Sequence, residues 1–396
     1  WFSPGIVVAG QWLGALSNGG EPILVRAANG TEIMSFSHDD IDLWPGRPDG
    51  KGSSLELKTE SAVPTTQPAK NGYLGDGGKW RSSVEYNGSP GRLGQGVDGR
   101  VRINELLANA IGGQTDAIEL YNPQGAAQSI GGWYLSNESG NYKKYHVPTG
   151  SSMGAGTFLS IDETNFNAPG NPDNPIPFTL DPTLADQDLY LVEADAAGNL
   201  LKFVDKVEWS ATRPGESLGL WPDGSAEIYP MSQRTFGASN QSAGNTVRSG
   251  PVVLSELQYN PTGTDNNFEY IELYNGGSAT EDLTNWRLSG DVNFGFAAGP
   301  IPLPPGEAVV LVGFDPANPT LAGAFRSRYG ISVAVHLLGP WLDNLGLSGA
   351  LLDNGGGTFV LERAGPLVTP PGGTPYIPLL PEDALRYDDV APWPTT

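Results

Sequence analysis

Cysteine is absent from this chain of 396 residues, so neither a disulfide framework nor a thiolate metal site can form. No run of 18 apolar residues occurs, so the sequence predicts no transmembrane helix and no membrane insertion. Basic residues are scarce, with 22 Lys and Arg against 44 Asp and Glu and a formal net charge of −22. Because phosphate-backbone binding needs Lys and Arg to displace counterions, the charge balance argues against nucleic acid as a partner.

Glycine and proline are abundant, with 54 Gly and 34 Pro scattered along the chain without a collagen period. Hydrophobic residues make up only 38%, yet 13 Phe, 14 Tyr and 10 Trp supply apolar area for several small cores. Many short strands joined by Gly and Pro turns are typical of an all-β sandwich or barrel. The composition therefore predicts a folded, acidic, all-β protein.

One segment of the chain occurs twice. A strand-like stretch ending in Ile118–Tyr121 leads through a loop to Trp133, and a second stretch ending in Ile271–Tyr274 leads to Trp286. Both copies read Ile-Glu-Leu-Tyr-Asn, and they lie about 150 residues apart. The recurrence indicates a duplicated domain and not one large enzyme fold.

Partial copies of the same domain are recognisable at both ends of the chain. Ile23–Val25 aligns with Phe359–Leu361, and Trp12 aligns with Trp341. The closing phrase of the middle copy, Gly215–Leu220, aligns with Gly52–Leu57. These alignments predict the C-terminal half of one domain at 1–97, a complete domain at 98–249 and a domain lacking its last strands at 250–396. Since a half sandwich cannot bury its own face, we expect the natural protein to extend beyond both ends.

Four separated phrases carry a family resemblance. These phrases, which resemble the lamin-tail domain, are the strand Val253–Leu257, the stretch Asp265–Tyr274, Leu283 with Trp286–Ser289, and the turn Pro304–Glu307. The closing phrases Gly-Glu-Ser-Leu and Gly-Ser-Pro-Gly resemble those of its bacterial versions. The resemblance implies tandem immunoglobulin-like β-sandwiches, with no catalytic set to carry over. It also implies modules of large secreted or surface proteins, some found beside nucleases, phosphoesterases or kinases. The middle copy departs from the pattern by a long insertion at Asn165–Pro182.

Candidate catalytic residues are few. Glu119 and Glu272 are equivalent positions in different domains, so they cannot flank one cleft as a glycosidase pair does. We interpret each as a structural carboxylate that accepts hydrogen bonds. The histidines, which lack metal-ligand spacing, are His38, His146 and His336. We interpret Trp133 and Trp286 as core aromatics, the alternative being exposed rings that stack on sugars. The sequence thus predicts no enzyme and no cofactor.

Oxygen-rich loops provide the one ligand signal. Their candidate calcium ligands are Asp162, Asp173, Asp186, Asp188, Asp265 and Asn267. Carboxylate and amide oxygens suit Ca²⁺, but none of these loops has the EF-hand spacing. Asp and Asn also form the ordinary turns of β proteins, and this turn interpretation is the alternative.

These observations favour a non-catalytic structural or adhesive array in a secreted or cell-surface bacterial protein, such as an extracellular fibre or surface layer. The predicted partners are other copies of the chain, other surface proteins or glycans. One alternative makes the domains accessory modules of a larger secreted hydrolase. Another makes them carbohydrate-binding modules, on the strength of the 10 tryptophans.

Overall fold

The computed structural model describes residues 13–41, 43–184, 187–263, 267–370 and 372–389. Two compact units divide the chain. The first comprises Trp1–Asn104, Glu119–Thr179 and Asp188–Val207, and the second comprises Glu105–Ile118, Leu180–Gln187 and Glu208–Thr396. Strands account for 34% of the residues and helices for 7%, which confirms the predicted all-β class. The boundaries at 97/98 and 249/250 stay predictions.

The first repeat segment contains short strands and one short helix. Its elements are β1 (Glu21–Arg26), β2 (Glu32–His38), β3 (Leu55–Leu57), α1 (Ala69–Leu74) and β4 (Trp80–Ser82), with 3-10 turns at Glu60–Ala62 and Gly77–Lys79. Antiparallel pairing joins β1 to β2 and β3 to β4, giving two two-stranded sheets. The strand predicted around Ile23–Val25 therefore forms as β1.

The second repeat is a two-sheet sandwich. Its elements are β5 (Arg102–Leu107), β6 (Ala117–Tyr121), β7 (Gln128–Ser129), β8 (Tyr134–Ser136), β9 (Tyr145–His146), β10 (Ser152–Met153), β11 (Phe158–Asp162), α2 (Glu163–Phe166), β12 (Gln187–Ala194), β13 (Leu200–Trp209), β14 (Leu218–Leu220) and β15 (Ile228–Pro230). The larger sheet has the order β11-β6-β5-β14-β15 and the other has the order β13-β12-β8-β9. Ile118 and Leu120, which alternate along β6, are both fully buried.

The third repeat has the same plan. Its elements are β16 (Val252–Gln258), β17 (Tyr270–Asn275), β18 (Glu281–Asp282), β19 (Arg287–Gly290), β20 (Phe294–Gly295), β21 (Pro302–Leu303), β22 (Ala308–Val312), α3 (Pro319–Tyr329), β23 (His336–Leu338), β24 (Gly356–Ala364) and β25 (Leu379–Asp388). One sheet has the order β16-β17-β22-β23 and the other β20-β19-β24-β25. Ile271, Leu273 and Trp286 lie in the core between them.

The asparagine that follows Ile-Glu-Leu-Tyr explains why the phrase extends to five residues. Asn122 donates to the carbonyl oxygens of Ala126 at 2.9 Å and Gly154 at 2.8 Å. Asn275 donates likewise to Ala279 at 2.8 Å and Leu303 at 2.7 Å. Both side chains are fully buried, so each amide satisfies carbonyl groups that water cannot reach. The asparagine therefore fixes the loop that leads to the tryptophan.

The sequence analysis did not predict helix α3. The helix forms because the strand order of the sheet requires a crossover. Strands β22 and β23 pair in parallel, and a parallel pair needs a crossover of a dozen or more residues that is usually helical. Asn318 caps the helix by accepting from Thr320 N at 3.1 Å and Leu321 N at 3.3 Å. Gly330 ends it with φ of 66°, a conformation that favours glycine. The helix packs Phe325 against the sheet face that lies opposite the sandwich core.

Candidate functional site at the joints between repeats

Two of the predicted calcium ligands already have protein partners. The Asp162 carboxylate caps α2, accepting from Thr164 N at 2.9 Å and from Thr164 Oγ1 at 2.5 Å. Asp173 Oδ1 lies 3.7 Å from His146 Nδ1. The Asp162 contacts are those of a helix cap, and they agree with the alternative turn interpretation.

The remaining candidates do not assemble into one described site. Asp188 accepts from Tyr190 OH at 2.6 Å and lies 2.8 Å from Lys206 Nζ. Asp186 and Asp265 lie outside the described residues, and Asn267 is partly exposed. Within the described ranges, no group of three or more His, Asp or Glu side chains could hold a metal ion. Calcium binding stays a prediction.

The repeated glutamates and tryptophans have structural surroundings. Glu272 accepts from Ser255 Oγ at 2.8 Å, and the fully buried Glu119 accepts from Ser160 Oγ at 3.4 Å. These hydrogen bonds match the predicted structural role. Trp133 and Trp286 are each only 3% exposed. Since neither ring has a free face, the core interpretation is confirmed and sugar stacking by these two residues is excluded.

We call a set of contacts between two successive repeats a joint. The first joint, between the first and second repeats, lies inside the first unit. The closing segment of the first repeat runs beside β13, where Phe203 N donates to Val84 O at 2.8 Å. Tyr86 N donates to Leu201 O at 2.9 Å. One repeat thus adds its backbone to the edge of the next repeat's sheet, which satisfies polar groups that an edge strand otherwise leaves unpaired.

Aromatic rings close this first joint. Tyr86, Tyr142 and Phe203 meet with ring centroids 5.1 to 6.3 Å apart. The Arg47 guanidinium lies over the Phe203 ring at 4.5 Å, a cation–π contact. Tyr142 OH donates to Lys51 O at 2.8 Å, and burial raises the pKa of Tyr142 to about 12. The rings therefore exclude water from the contact, while the Tyr142 hydroxyl donates a hydrogen bond and the Arg47 guanidinium lies over a ring.

A second joint lies inside the second unit, at the start of β25. Gly250 N donates to Glu382 O at 2.8 Å, and Arg248 Nη2 donates to Pro381 O at 2.7 Å. The Gly250 contact lies within the third repeat, so the Arg248 side chain makes the contact from the preceding repeat. In the first joint the backbone of the preceding repeat pairs with Leu201 and Phe203 instead.

An aspartate just downstream of each joint shows that the two positions correspond. Asp205 Oδ2 accepts from Ile103 N at 2.7 Å, and Asp383 Oδ2 accepts from Leu254 N at 2.8 Å. Each contact ties the last long strand of a repeat to that repeat's opening strand. The joints thus occupy the same place on the same strand in both repeats.

Charged groups replace aromatic rings in the second joint. The Glu382 carboxylate is fully buried and accepts from Arg213 Nη2 at 2.5 Å and from Arg363 at 3.0 and 3.1 Å. Arg248 forms an ion pair with Glu216. Burial, reinforced by the neighbouring Arg248 charge, lowers the pKa of Arg213. A buried carboxylate of this kind needs its partners, because an unpaired buried charge is strongly destabilising.

Sequence reasoning did not find either joint. Arg213 and Glu382 lie 169 positions apart, so no local pattern connects them. The available signal was the alignment of β13 with β25, in which Asp205 corresponds to Asp383.

These features define the class of the protein as a tandem array of β-sandwich repeats. A sequence model of the Lamin Tail Domain family matches residues 95–211 and 245–365. The chain belongs to this family, whose immunoglobulin-like domain is a non-catalytic fold. The two matched regions confirm the predicted resemblance and the tandem copies.

Other comparisons add little. The search of curated proteins found no match. The chain is similar to a crystal structure of a DUF4876 family protein from Bacteroides thetaiotaomicron, at 13% identity and a TM-score of 0.25. That similarity covers 51% of this chain and 71% of the other. Among the described residues, no helix has the length and apolar character needed to cross a membrane.

Proposed function

We propose that this chain is a non-catalytic structural or adhesive array in a secreted or cell-surface bacterial protein, and that its repeats act as linked beads of a fibre or surface layer. The observation that carries the proposal is the pair of equivalent joints. An array that bears load needs each repeat coupled to the next. Both joints hold a repeat against the last long strand of its successor, by backbone hydrogen bonds in the first joint and by arginine side chains in the second.

The chemistry of the joints supports the same role. Transient domain contacts are mostly polar and wet, whereas these joints bury an aromatic cluster and a carboxylate with two arginine partners. Stability in a repeat protein is the sum of each repeat's own stability and the contacts between neighbours. The joints therefore couple unfolding of one repeat to the next.

Acidity also suits an array. A net charge of −22 keeps repeated domains from associating nonspecifically and disfavours polyanionic partners. The proposed partners are other copies of the chain or other surface proteins.

Labelling of cells that make the protein tests the location. Antibodies against the chain should label intact cells as a layer or as fibres, without permeabilisation, and the secreted protein should elute as large species. Label that appears only after permeabilisation, or a monodisperse monomer of the intact protein, would contradict the proposal. A catalytic domain in the same native polypeptide, together with hydrolase activity, would instead favour the accessory-module alternative.

A joint variant tests the coupling. Glu382→Ala leaves Arg213 and Arg363 without their buried carboxylate, and we expect opening free energies near the joint to fall by about 3–5 kcal/mol. Amide hydrogen exchange on the intact chain should show faster exchange both in β25 and in residues 213–218. Glu307→Ala, which removes a charge from an exposed turn, is the matched control. Faster exchange confined to β25 would show that the joint does not couple the repeats.

A further inference from the structure

Three arginines line one pocket beside the second joint. The pocket has a volume of about 520 Å³, and its walls come from the loop that precedes β14 and from the segment that follows β15. Arg213, Arg234 and Arg248 lie in these walls, and among the described residues that line the pocket Glu216 is the one acidic side chain. The chain as a whole has 22 Lys and Arg against 44 Asp and Glu. The pocket is therefore a local concentration of positive charge on an acidic protein.

All three guanidinium groups have donors that the protein does not use. Within the described part of the chain, the Arg213 side chain donates to Glu382 through Nη2 alone. Arg248 donates through Nε to Glu216 and through Nη2 to a carbonyl oxygen, whereas its Nη1 has no partner among the described residues. The Arg234 side chain is exposed and forms no ion pair or hydrogen bond with them. Since a guanidinium group carries five N–H donors, these side chains can still bind an acceptor.

Glu216 adds an acceptor to the same pocket. The residue is only 9% exposed, and its Oε1 accepts from Arg248 Nε. The other carboxylate oxygen, Oε2, is buried and accepts no hydrogen bond from the described residues. A buried oxygen without a donor costs free energy, so a ligand that brings a donor to this oxygen is favoured. The pocket thus offers both spare arginine donors and a spare carboxylate oxygen.

These two kinds of spare group select the ligand. Arginine binds planar carboxylate groups through paired hydrogen bonds. Glu216 requires a hydroxyl donor, which sulfate and dianionic phosphate groups lack, and its charge repels such ions. A long polyanion is unsuitable as well, because the net charge of the chain is −22. A single sugar that carries one carboxylate beside its hydroxyl groups meets all of these requirements.

We propose that this pocket binds a uronic acid residue, whose carboxylate pairs with Arg234 and whose hydroxyl groups contact Arg213 and Glu216. Arg234 is assigned the carboxylate because its own charge has no partner among the described residues. Burial, followed by the charge of Arg248, lowers the pKa of Arg213, and a carboxylate in the pocket offsets the second effect. The pocket volume lies within the range of about 300–1,000 Å³ that is typical of small-ligand sites. This inference adds a binding activity and does not depend on the proposed structural role.

Calorimetric titration of the full chain with D-glucuronate tests the proposal. We expect saturable binding at one site per chain. D-glucose, which lacks the carboxylate, should bind at least about tenfold more weakly, because a hydrogen bond between two charged groups is lost. Sulfate, which has the charge but no hydroxyl donor, should also bind at least about tenfold more weakly. Absence of saturable glucuronate binding, or equally tight binding of glucose or sulfate, would overturn the proposal.

One substitution locates the site. Because the Arg234 side chain is exposed and has no ion pair or hydrogen bond with the described residues, Arg234→Gln should unfold at the same temperature as the unchanged chain. It should bind glucuronate at least about tenfold more weakly. Arg26→Gln, which removes an exposed arginine from β1, is the matched control and should bind glucuronate as the unchanged chain does. Unchanged glucuronate binding by Arg234→Gln would refute the assignment of this pocket.

Discussion

Glutamates at one position of two repeats have opposite surroundings. Glu105 is fully buried, and burial raises its pKa although Ser217 and Thr235 donate to it. Glu256 occupies the aligned position and is exposed. The difference arises because the donors of Glu105 belong to segments that follow β13, far along the chain from the glutamate itself. One residue type therefore has two roles within one sequence.

Substitution at this position should have repeat-specific effects. Glu105→Ala leaves the buried Ser217 hydroxyl and the Thr235 amide without their acceptor, and we expect it to destabilise the second repeat by about 2–4 kcal/mol. Glu256→Ala, on the exposed edge, should change stability by less than about 0.5 kcal/mol. Opening free energies from hydrogen exchange in β14 and β17 measure the two effects. Equal losses in both repeats would contradict the interpretation.

At the scale of elements, α3 is held by its two caps and by the packing of Phe325. The helix has an asparagine cap with a following proline at its first turn, and a left-handed glycine at its end. Its one fully buried aromatic residue, Phe325, contacts the rings of Tyr270, Phe314 and Tyr329. Short amphipathic helices are held mainly by such tertiary packing.

Removal of the cap should loosen α3. Asn318→Ala loses the acceptor for Thr320 N and Leu321 N, which costs about 1 kcal/mol. Amides in the first turn of the helix should exchange about five times faster, whereas those of β17 should change little. Asn318→Asp, which keeps an acceptor oxygen, is the control. Similar exchange in the alanine and aspartate variants would show that the cap has no role.

At the scale of the whole molecule, buried carboxyl groups make stability depend on pH. Burial raises the pKa of Asp205, Asp291 and Asp383, as it does that of Glu105, above ordinary values of 3.8 and 4.5. Each of these groups binds its proton more tightly when the chain is folded. The stability that they contribute is fully present below the ordinary pKa and is lost as pH rises through the raised folded pKa.

Thermal unfolding should therefore move to lower temperature as pH rises from about 4 towards neutrality at constant ionic strength. Two exposed carboxylates, Asp195 and Asp282, have lowered pKa values through hydrogen bonds from Asn199 and Thr284 respectively. Their contribution is lost only as pH falls below the ordinary value of 3.8, outside this window. Scanning calorimetry measures the midpoints. Midpoints that rise with pH across the window would contradict the expectation.

A variant that cannot ionise isolates the contribution of Asp383 to the pH dependence of stability. Asp383→Asn keeps an oxygen that accepts from Leu254 N but removes the titration, so its midpoint should depend less steeply on pH. Glu307→Gln, at an exposed turn residue, is a control for general charge removal, and the midpoint of this variant should depend on pH as that of the unchanged chain does.

Local patterns predicted much of the fold. The repeated phrase predicted the tandem domains, and the recurrence of the Trp133 and Trp286 positions predicted core aromatics. Helix α3 was missed although Asn318-Pro319 and Gly330 are ordinary start and stop signals. The joints were missed because the groups that form them are distant in sequence.

The sequence by itself determined the class, the family and the repetition, because alternation, turn residues and repeated phrases are local properties of the chain. Only the tertiary structure decided which charged groups are buried and paired. Glu382 and Glu105 are buried by segments distant in sequence, and desolvation depends on all atoms around a group and not on its neighbours along the chain. The joints between repeats are for that reason a property of the folded array alone.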